Sequence, residues 1–420
     1  MVTDILYRCP VCGSFDWFSG DKCNACNARV SLVSRSQCLV NGEKRSISDL
    51  YQKIRSMDLP VDKDGQILKS RRVKYSIEEG TRTFRGFAGI VATLYERKPH
   101  DTGTLILGRD SLEFSGASGP LTISIAHITS VTIETNTIII VTKGDHVHFF
   151  DFLEESGKKW EDCIQSAISG YHAPRKILEF CPGLLFEDRQ KTTRKQKKQH
   201  PEIRVSAQKG YSWEHSIVFA LLRIIFRPVF KYLLRIQIKG LENVPEKGPA
   251  IIMANHTSFL DSLMLGIFPK RHIWYMGKNS QFSGWFFPWF LRIARAFPVR
   301  RYLHDPQAIR NAIRIVEQGH ILGVFPEGER SWDNHMLPFK QGTMRLVLAL
   351  GLPVIPVGIS GGYDLMPRWT SRIKPTPVRI NIGAPVLFEH IPLSMQTQGD
   401  IDRVGSRLRA KIISLQETNQ

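Results

Sequence analysis

Two closely spaced cysteine pairs near the start of the chain, Cys9-Pro-Val-Cys12-Gly and Cys23-Asn-Ala-Cys26, constrain its folding more tightly than any other feature. Each pair places two thiolates on one tight turn, and Gly13 lets the backbone curl round a metal. Together the pairs supply the four-sulfur tetrahedral set that Zn2+ takes. Ten residues separate Cys12 from Cys23, room for a two-stranded hairpin. A redox dithiol needs only one such pair. The chain holds seven cysteines, an odd number that fits metal ligation in a reducing compartment better than a disulfide framework. Cys9, Cys12, Cys23 and Cys26 are therefore the expected zinc ligands, with the metal supplying the folding energy of a domain over residues 1–34. Cys38, Cys163 and Cys181 read as small core residues.

The arrangement resembles a zinc ribbon. At 420 residues the chain is too long for one hydrophobic core, so further domains are expected. Hydrophobic and charged contents of 42% and 23% are those of a globular protein. The net charge of +18 favours anionic partners: phospholipid headgroups, nucleic acid or phosphorylated metabolites. No signal peptide is expected from Met-Val-Thr-Asp-Ile-Leu-Tyr-Arg-Cys9, which lacks a basic region followed by an apolar run. With the unpaired thiols, this points to the cytosolic face of a membrane.

No stretch reaches the roughly 18–20 uninterrupted apolar residues of a spanning helix. Ile217 to Leu234 interleaves Arg223, Arg227 and Lys231 with apolar residues at near-helical spacing. This suits either an interfacial helix with snorkelling cations or an ordinary helix packed on a core. Trp285, Phe286, Phe287, Trp289 and Phe290 crowd around Pro288, a density that favours the bilayer interface or the wall of a binding groove.

Between the cysteines and residue 170, short β-branched runs follow one another: Thr104–Leu107, Ser111–Phe114, Leu121–Ile125, Ile128–Ile133, Thr137–Val141 and His146–Phe152. An amphipathic helix over about Lys158–Ile168 closes the series, with Trp160, Cys163, Ile164, Ala167 and Ile168 on one side. Strands closed by one helix with an early Trp resemble the pleckstrin-homology fold, in its GRAM-like branch, over residues 65–170. That resemblance implies binding of phosphoinositides or other membrane anions; a protein-contact or purely structural β-domain fits the pattern equally. Residues 185–210 form a basic linker, in which 189–198 carry six cations and no acid.

From 211 to 415 apolar strands alternate with helical periods, the pattern of an α/β domain, entered through the helix at Ile217. Pro249-Ala-Ile-Ile-Met-Ala-Asn255 reads as a buried strand delivering His256 at its C-terminal end, where open α/β sheets place their chemistry. Asp261, five residues on, is expected about a turn and a half into a following helix. From there its carboxylate can hold one imidazole nitrogen and leave the other free to accept a proton. With no Ser or Cys nucleophile nearby, such a pair would activate a substrate hydroxyl directly, in a single-step transfer through a ternary complex.

A lone His-x4-Asp pair is weak evidence, but three further blocks follow in order: Phe297-Pro-Val-Arg-Arg301, Val324-Phe-Pro-Glu-Gly-Glu-Arg-Ser331 extended by Leu337–Gly342, and Val354-Ile-Pro-Val-Gly-Ile359. The set resembles the glycerolipid acyltransferase family, of the lysophosphatidate acyltransferase type, over residues 235–390. The resemblance implies His256 as general base, Asp261 as its orienting partner, and acyl-CoA or acyl carrier protein as donor, with no catalytic metal. It implies that Arg301, Glu327, Gly328, Arg330 and Ser331 hold a phosphorylated acceptor, that Glu327 binds a glycerol hydroxyl or orders Arg301, and that Pro356 shapes the donor side. Glu329, where a Thr is usual, and Arg300, where an Asp is usual, depart from the family pattern and open the question of the acceptor.

Two other readings compete. One is a membrane adaptor with an inactive acyltransferase domain, against which the intact His256, Asp261 and third block argue. The other is nucleic-acid binding, disfavoured because the cation run lacks interleaved aromatics and the cysteine segment is not especially basic.

Overall fold

The computed structural model describes residues 4–15, 18–19, 22–172, 213–283, 286–303 and 305–417. The linker at 185–210, Cys181 and Trp285 lie outside them.

The cysteine-bearing region folds as a short antiparallel pair, Phe18–Ser19 with Lys22–Cys23, followed by a three-stranded meander of Val30–Leu32, Gln37–Val40 and Glu43–Ser46. The helix Ile47–Arg55 completes it, and the Ser46 side chain caps the helix by accepting from the Asp49 N–H. Its apolar face, Ile47, Leu50, Tyr51 and Ile54, recurs at helical spacing and packs with Ile5, Leu6, Cys9, Cys23 and Cys38. The core built around the cysteines thus extends past residue 34 to residue 55, and apolar burial works beside the sulfur cluster.

A second sheet of eight antiparallel strands covers residues 66–152. The order is Gly119–Ser124, Ser111–Gly116, Val91–Gly108, Val73–Arg85, His146–Phe152, Thr137–Thr142 and Ile128–Glu134, with Gln66–Lys69 also paired to Val91–Gly108. The helix Gly157–His172 closes it. Trp160, Cys163, Ile164, Ala167 and Ile168 are all buried, and Trp160 stacks on Phe152 at 5.2 Å.

Strand length within this sheet departs from expectation. Val73–Arg85 and Val91–Gly108 form an arm far longer than its neighbours, turning through Ala88 and Gly89, both at positive φ. The base of the arm belongs to the sheet. Its tip leaves it, and Phe84, Ile90, Ala92 and Leu94 enter the core of the C-terminal domain beside Trp274, Phe282 and Phe297. The tip carbonyls are met by one helix of that domain, Pro306–Glu317. Gln307 and Asn311 donate to the Val91 carbonyl at 2.8 and 2.9 Å, Gln318, just beyond the helix, donates to Ala88 at 3.1 Å, and Arg314 to Gly89. Backbone groups that an unpaired hairpin end would leave to water are satisfied in this way.

The C-terminal domain is built on a seven-stranded mixed sheet. The order is Gln237–Lys239, Arg379–Ile382, Val354–Ser360, Ala250–Ala254, Ile321–Val324, Ile273–Lys278 and Ala296–Val299, with Val354–Ser360 and Arg379–Ile382 the antiparallel pair. Ala250–Ala254 is central and every residue of it is buried, as its unbroken apolar run requires of a strand covered on both faces. Its C-terminal end opens into the site described below.

Helix Trp213–Pro228 and the wider turn Val229–Leu233 precede this sheet. Snorkelling does not describe the two arginines here. Arg223 donates to the carbonyls of Ile267, Pro269 and Lys270, and Arg227 to those of Ile267 and Phe268. The Ile267 and Phe268 carbonyls end the helix Asp261–Ile267, where a last turn lacks intrahelical donors and carries partial negative charge, and those of Pro269 and Lys270 directly follow it. With the cations turned inward, Leu221, Ile224, Ile225 and Tyr232 are left exposed, as are Phe287 and Trp289 on the helix Phe286–Ile293. Among the described residues no helix is long and apolar enough to cross a membrane.

Candidate active site

At the end of the central strand the chain runs through a six-residue loop, turning at Phe259 and Leu260, before helix Asp261–Ile267 begins. Asn255 fixes this departure by a reciprocal pair of bonds with Ile359 on the neighbouring strand, donating from Nδ2 at 2.9 Å and accepting at Oδ1 from Ile359 N at 2.7 Å. Asp261 sits in the first turn of its helix, not a turn and a half inside it. The loop before it folds back so that one carboxylate oxygen, Oδ2, meets His256 Nδ1 at 2.9 Å and accepts from the backbone N–H groups of Thr257 and Ser258 at 2.7 and 2.8 Å. The carboxylate is fully buried. Gly362 covers it from above: a Cβ there would lie 3.0 Å from Asp261 Oδ1 and 2.8 Å from Thr257 Oγ1.

With the carboxylate accepting, the imidazole proton resides on Nδ1, and Nε2 carries the free lone pair. The ring stacks on Phe325 with centroids 4.0 Å apart. Burial lowers the His256 pKa below its ordinary value, against the raising effect of the Asp261 hydrogen bond and charge; Arg330 and Arg301 push it the same way as burial. The imidazole is thereby kept neutral and ready to accept a proton.

The block Val324–Ser331 lies against this loop and divides into supporting and cleft-facing residues. Glu327 binds neither Arg301 nor an open position. Its Oε1 accepts from His256 N at 2.7 Å and its Oε2 from Leu337 N at 2.8 Å, clamping the base-bearing backbone to the following loop. Burial pushes its carboxyl up to about 8. Ser331, expected in the acceptor pocket, is fully buried, donating from its N–H to the His256 carbonyl at 2.8 Å and from its hydroxyl to Asp333 at 3.1 Å. Pro356 is likewise inside the sheet, paired with Met253, and does not line the cleft. Gly328, at φ +73, gives its carbonyl to Arg301 Nη1 at 2.7 Å, and a Cβ there would strike Lys340 at 2.5 Å. Arg330 remains on the cleft wall, near the Phe259 ring, and among the described residues no carboxylate pairs with it. Burial and the neighbouring Arg368 and Arg301 lower its pKa to about 10, still cationic at neutral pH.

Both departures from the family pattern are absorbed by ion pairs, one across domains and one within the C-terminal domain. Arg300 turns to the β-rich arm, 3.4 Å from Glu78 and over the Tyr95 ring at 3.7 Å. Glu329 pairs with Arg368, whose charge, with that of Lys340, outweighs burial and holds the carboxyl at about 2. Sequence reasoning missed Lys278, at the C-terminal end of its strand where the sheet-edge rule would have found it, and Glu134, which arrives from the other sheet. Glu134, Lys278, Arg301, Arg330 and His256 all face one cleft of about 2420 Å3, with Phe259, Phe287, Phe290 and Leu291 on its apolar wall.

At the other end of the chain, the sulfurs of Cys9, Cys12, Cys23 and Cys26 all lie within 4.8 Å of one another, with Cys9–Cys26 and Cys12–Cys23 at 3.7 Å. A tetrahedron with sulfur–metal arms of about 2.3 Å has edges of about 3.8 Å. The four thiols therefore fit a tetrahedral metal.

A buried His–Asp pair at the end of a central strand, opening on a long cleft with an apolar wall and a cationic end, defines the site of a group-transfer domain. Residues 235–360, which hold the His256–Asp261 pair and most of the C-terminal sheet, match the family model described as Acyltransferase. The 1-acyl-sn-glycerol-3-phosphate acyltransferase of Limnanthes alba is 28% identical over 168 residues, 38% of this chain and 57% of that protein. The one of Bacillus subtilis (strain 168) is 27% identical over 182 residues, 41% of this chain and 86% of that protein. The solved structure of the 1-acyl-sn-glycerophosphate (LPA) acyltransferase PlsC from Thermotoga maritima covers 48% of this chain and 81% of its own, with 26% identity and a TM-score of 0.40. The chain thus spans little more than half the length of the first of these relatives.

Proposed function

We propose that this protein transfers a fatty acyl group from acyl-CoA or acyl carrier protein to the hydroxyl of a lysophospholipid or glycerol-phosphate-like acceptor, in phospholipid synthesis or remodelling. The observation that carries the reading is the His256–Asp261 pair, in which one carboxylate oxygen gathers the imidazole and two backbone amides. In the reaction His256 Nε2 takes the acceptor's hydroxyl proton as the oxygen attacks the thioester carbonyl. The tetrahedral intermediate collapses, the carbon–sulfur bond breaks, and the proton on His256 passes to the departing thiolate. Asp261 stabilises the transient imidazolium and keeps the ring in register. Arg330 is placed to hold an acceptor phosphate, its planar fork suiting that group.

The remaining parts fit a membrane-surface enzyme. Leu221, Ile224 and Ile225 are exposed on a helix that packs against Phe286–Ile293, and Tyr232 is exposed in the turn after it. Phe287 and Trp289 are also exposed, and Phe287 lines the cleft; this would suit a monotopic anchor on the cytosolic face. The four cysteines would hold a structural Zn2+ in a ribbon-like domain. The eight-stranded sheet closed by Gly157–His172 would be a pleckstrin-homology-like module. The test is turnover by the purified full-length chain with acyl-CoA and a panel of lysophospholipids in vesicles. Equal rates for the wild type and His256→Ala would discard the reading in favour of an inactive membrane adaptor.

A further inference from the structure

The cationic end of the cleft is not built by the acyltransferase domain alone. Glu134, the last residue of strand Ile128–Glu134 in the β-rich domain, places its carboxylate 2.8 Å from Lys278 Nζ, 3.4 Å from Arg301 Nη2 and 3.2 Å from Ser280 Oγ. The side chain is only 11% exposed. These two cations at the C-terminal ends of adjacent strands would otherwise be the natural seat for an anionic headgroup.

The position of Glu134 is built in. The next residue, Thr135, has φ +61, a left-handed conformation that a β-branched residue rarely adopts. Asn136 locks the turn by donating to the Phe152 and Glu155 carbonyls while accepting from Gly157 N. Arg368 of the acyltransferase domain donates to the Ile133 carbonyl at 2.6 Å. The domain bearing Glu134 is held in turn by its own arm, with Phe84, Ile90, Ala92 and Leu94 inside the acyltransferase core. A carboxylate held from so many sides is a fixed part of the pocket wall, not a plug that swings away.

We infer that Glu134 is a specificity-determining residue of the acceptor pocket: by pairing with Lys278 and Arg301 it withholds one of their two charges from the acceptor, and so lowers the pocket's preference for a phosphomonoester relative to a phosphodiester, whose headgroup phosphate carries one negative charge. A monoester carries close to two charges once its second proton, with a pKa of about 6, is lost. Its second charge would meet a basic pair whose charge one carboxylate has cut from two to one, with that carboxylate facing it. The inference rests on reading the cleft as the acceptor site, but its consequence for binding does not depend on turnover.

Titration calorimetry of the full-length protein, without acyl donor and above the second phosphate pKa, compares sn-glycerol 3-phosphate with glycerophosphoglycerol. The wild type sets the reference ratio of monoester to diester affinity. Glu134→Gln should tighten the monoester by about tenfold, the scale of one buried-rim charge contact, and change the diester much less. Glu134→Asp, which keeps the charge, should keep the wild-type preference. A Glu134→Asp that prefers the monoester as strongly as Glu134→Gln does overturns the inference, because it keeps the charge on which the inference depends. So does a monoester-to-diester ratio that Glu134→Gln leaves unchanged while its thermal midpoint matches the wild type. The shift in ratio upholds the inference even in a preparation that transfers no acyl group, whereas turnover with an unchanged ratio overturns it and spares the acyltransferase reading.

Discussion

In the proposed reaction His256 is the base, and its surroundings set a direction for pH dependence. Burial lowers its pKa below the ordinary value of about 6.5 despite the adjoining carboxylate. The base works when neutral, so kcat/KM should rise with pH through a limb centred below about 6.5 and stay level above it; a limb centred higher would contradict this environment. Asp261→Asn keeps the shape but loses the charge that holds the Nδ1 proton, and should lower kcat by about 10²–10⁴-fold, with the loss not recovered at high pH. Glu327 calls for a different readout. Glu327→Ala strips partners from two backbone amides, His256 N and Leu337 N, at about 1–3 kcal/mol each, so denaturant unfolding should show the loss directly. The catalytic pair was legible because its members lie five residues apart at the end of an apolar run. The roles of Glu327 and Ser331 were not, because both bond to main-chain atoms of His256, and backbone partners leave no mark on side-chain spacing.

Elements show the same division between local and long-range information. Strands such as Thr137–Thr142 and the buried Ala250–Ala254 were readable from β-branched or unbroken apolar runs. The arm of Val73–Arg85 with Val91–Gly108 was not, because its middle is exposed on both sides and crowded with Glu, Arg and Lys. Only its tip is apolar, and that pattern has meaning only against another domain's helix. Phe84 packs edge-on against Phe282 at 4.9 Å and is 1% exposed. Phe84→Ala should cost about 3–5 kcal/mol, read as a lowered denaturant midpoint of the acyltransferase domain; a change confined to the β-rich domain would contradict the packing. The exposed face of Trp213–Pro228 makes the opposite prediction. Ile224→Glu with Ile225→Glu should leave the thermal midpoint nearly unchanged, because both side chains already face solvent, and should weaken sedimentation with anionic vesicles.

At the scale of the molecule the four-cysteine end and the Val324–Ser331 block, some three hundred residues apart in sequence, are neighbours. Helix Ile47–Arg55 lays Ser48 and Gln52 on Asp333, the latter at 2.7 Å, and Tyr7 and Tyr51 each donate to Asp162 at 2.9 Å. Trp332 is buried in the same core as Cys9 and Cys23, with Lys158 and Arg368 over its ring at 5.6 and 4.5 Å. Ser331, directly before it, holds the His256 carbonyl. Order at the four sulfurs should therefore be felt at the base. Removing the metal by chelation, or making Cys9→Ser with Cys12→Ser, should raise hydrogen exchange in residues 4–55 and also in residues 331–335, and slow acyl transfer in parallel. Because Ile47, Leu50, Tyr51 and Ile54 supply an apolar core of their own, the region should loosen without unfolding completely, unlike isolated zinc modules, whose folding depends on the metal outright. If exchange rises in residues 4–55 while residues 331–335 keep full protection, the cysteine domain is an independent attachment and the shared core around Trp332 does not couple the two sites.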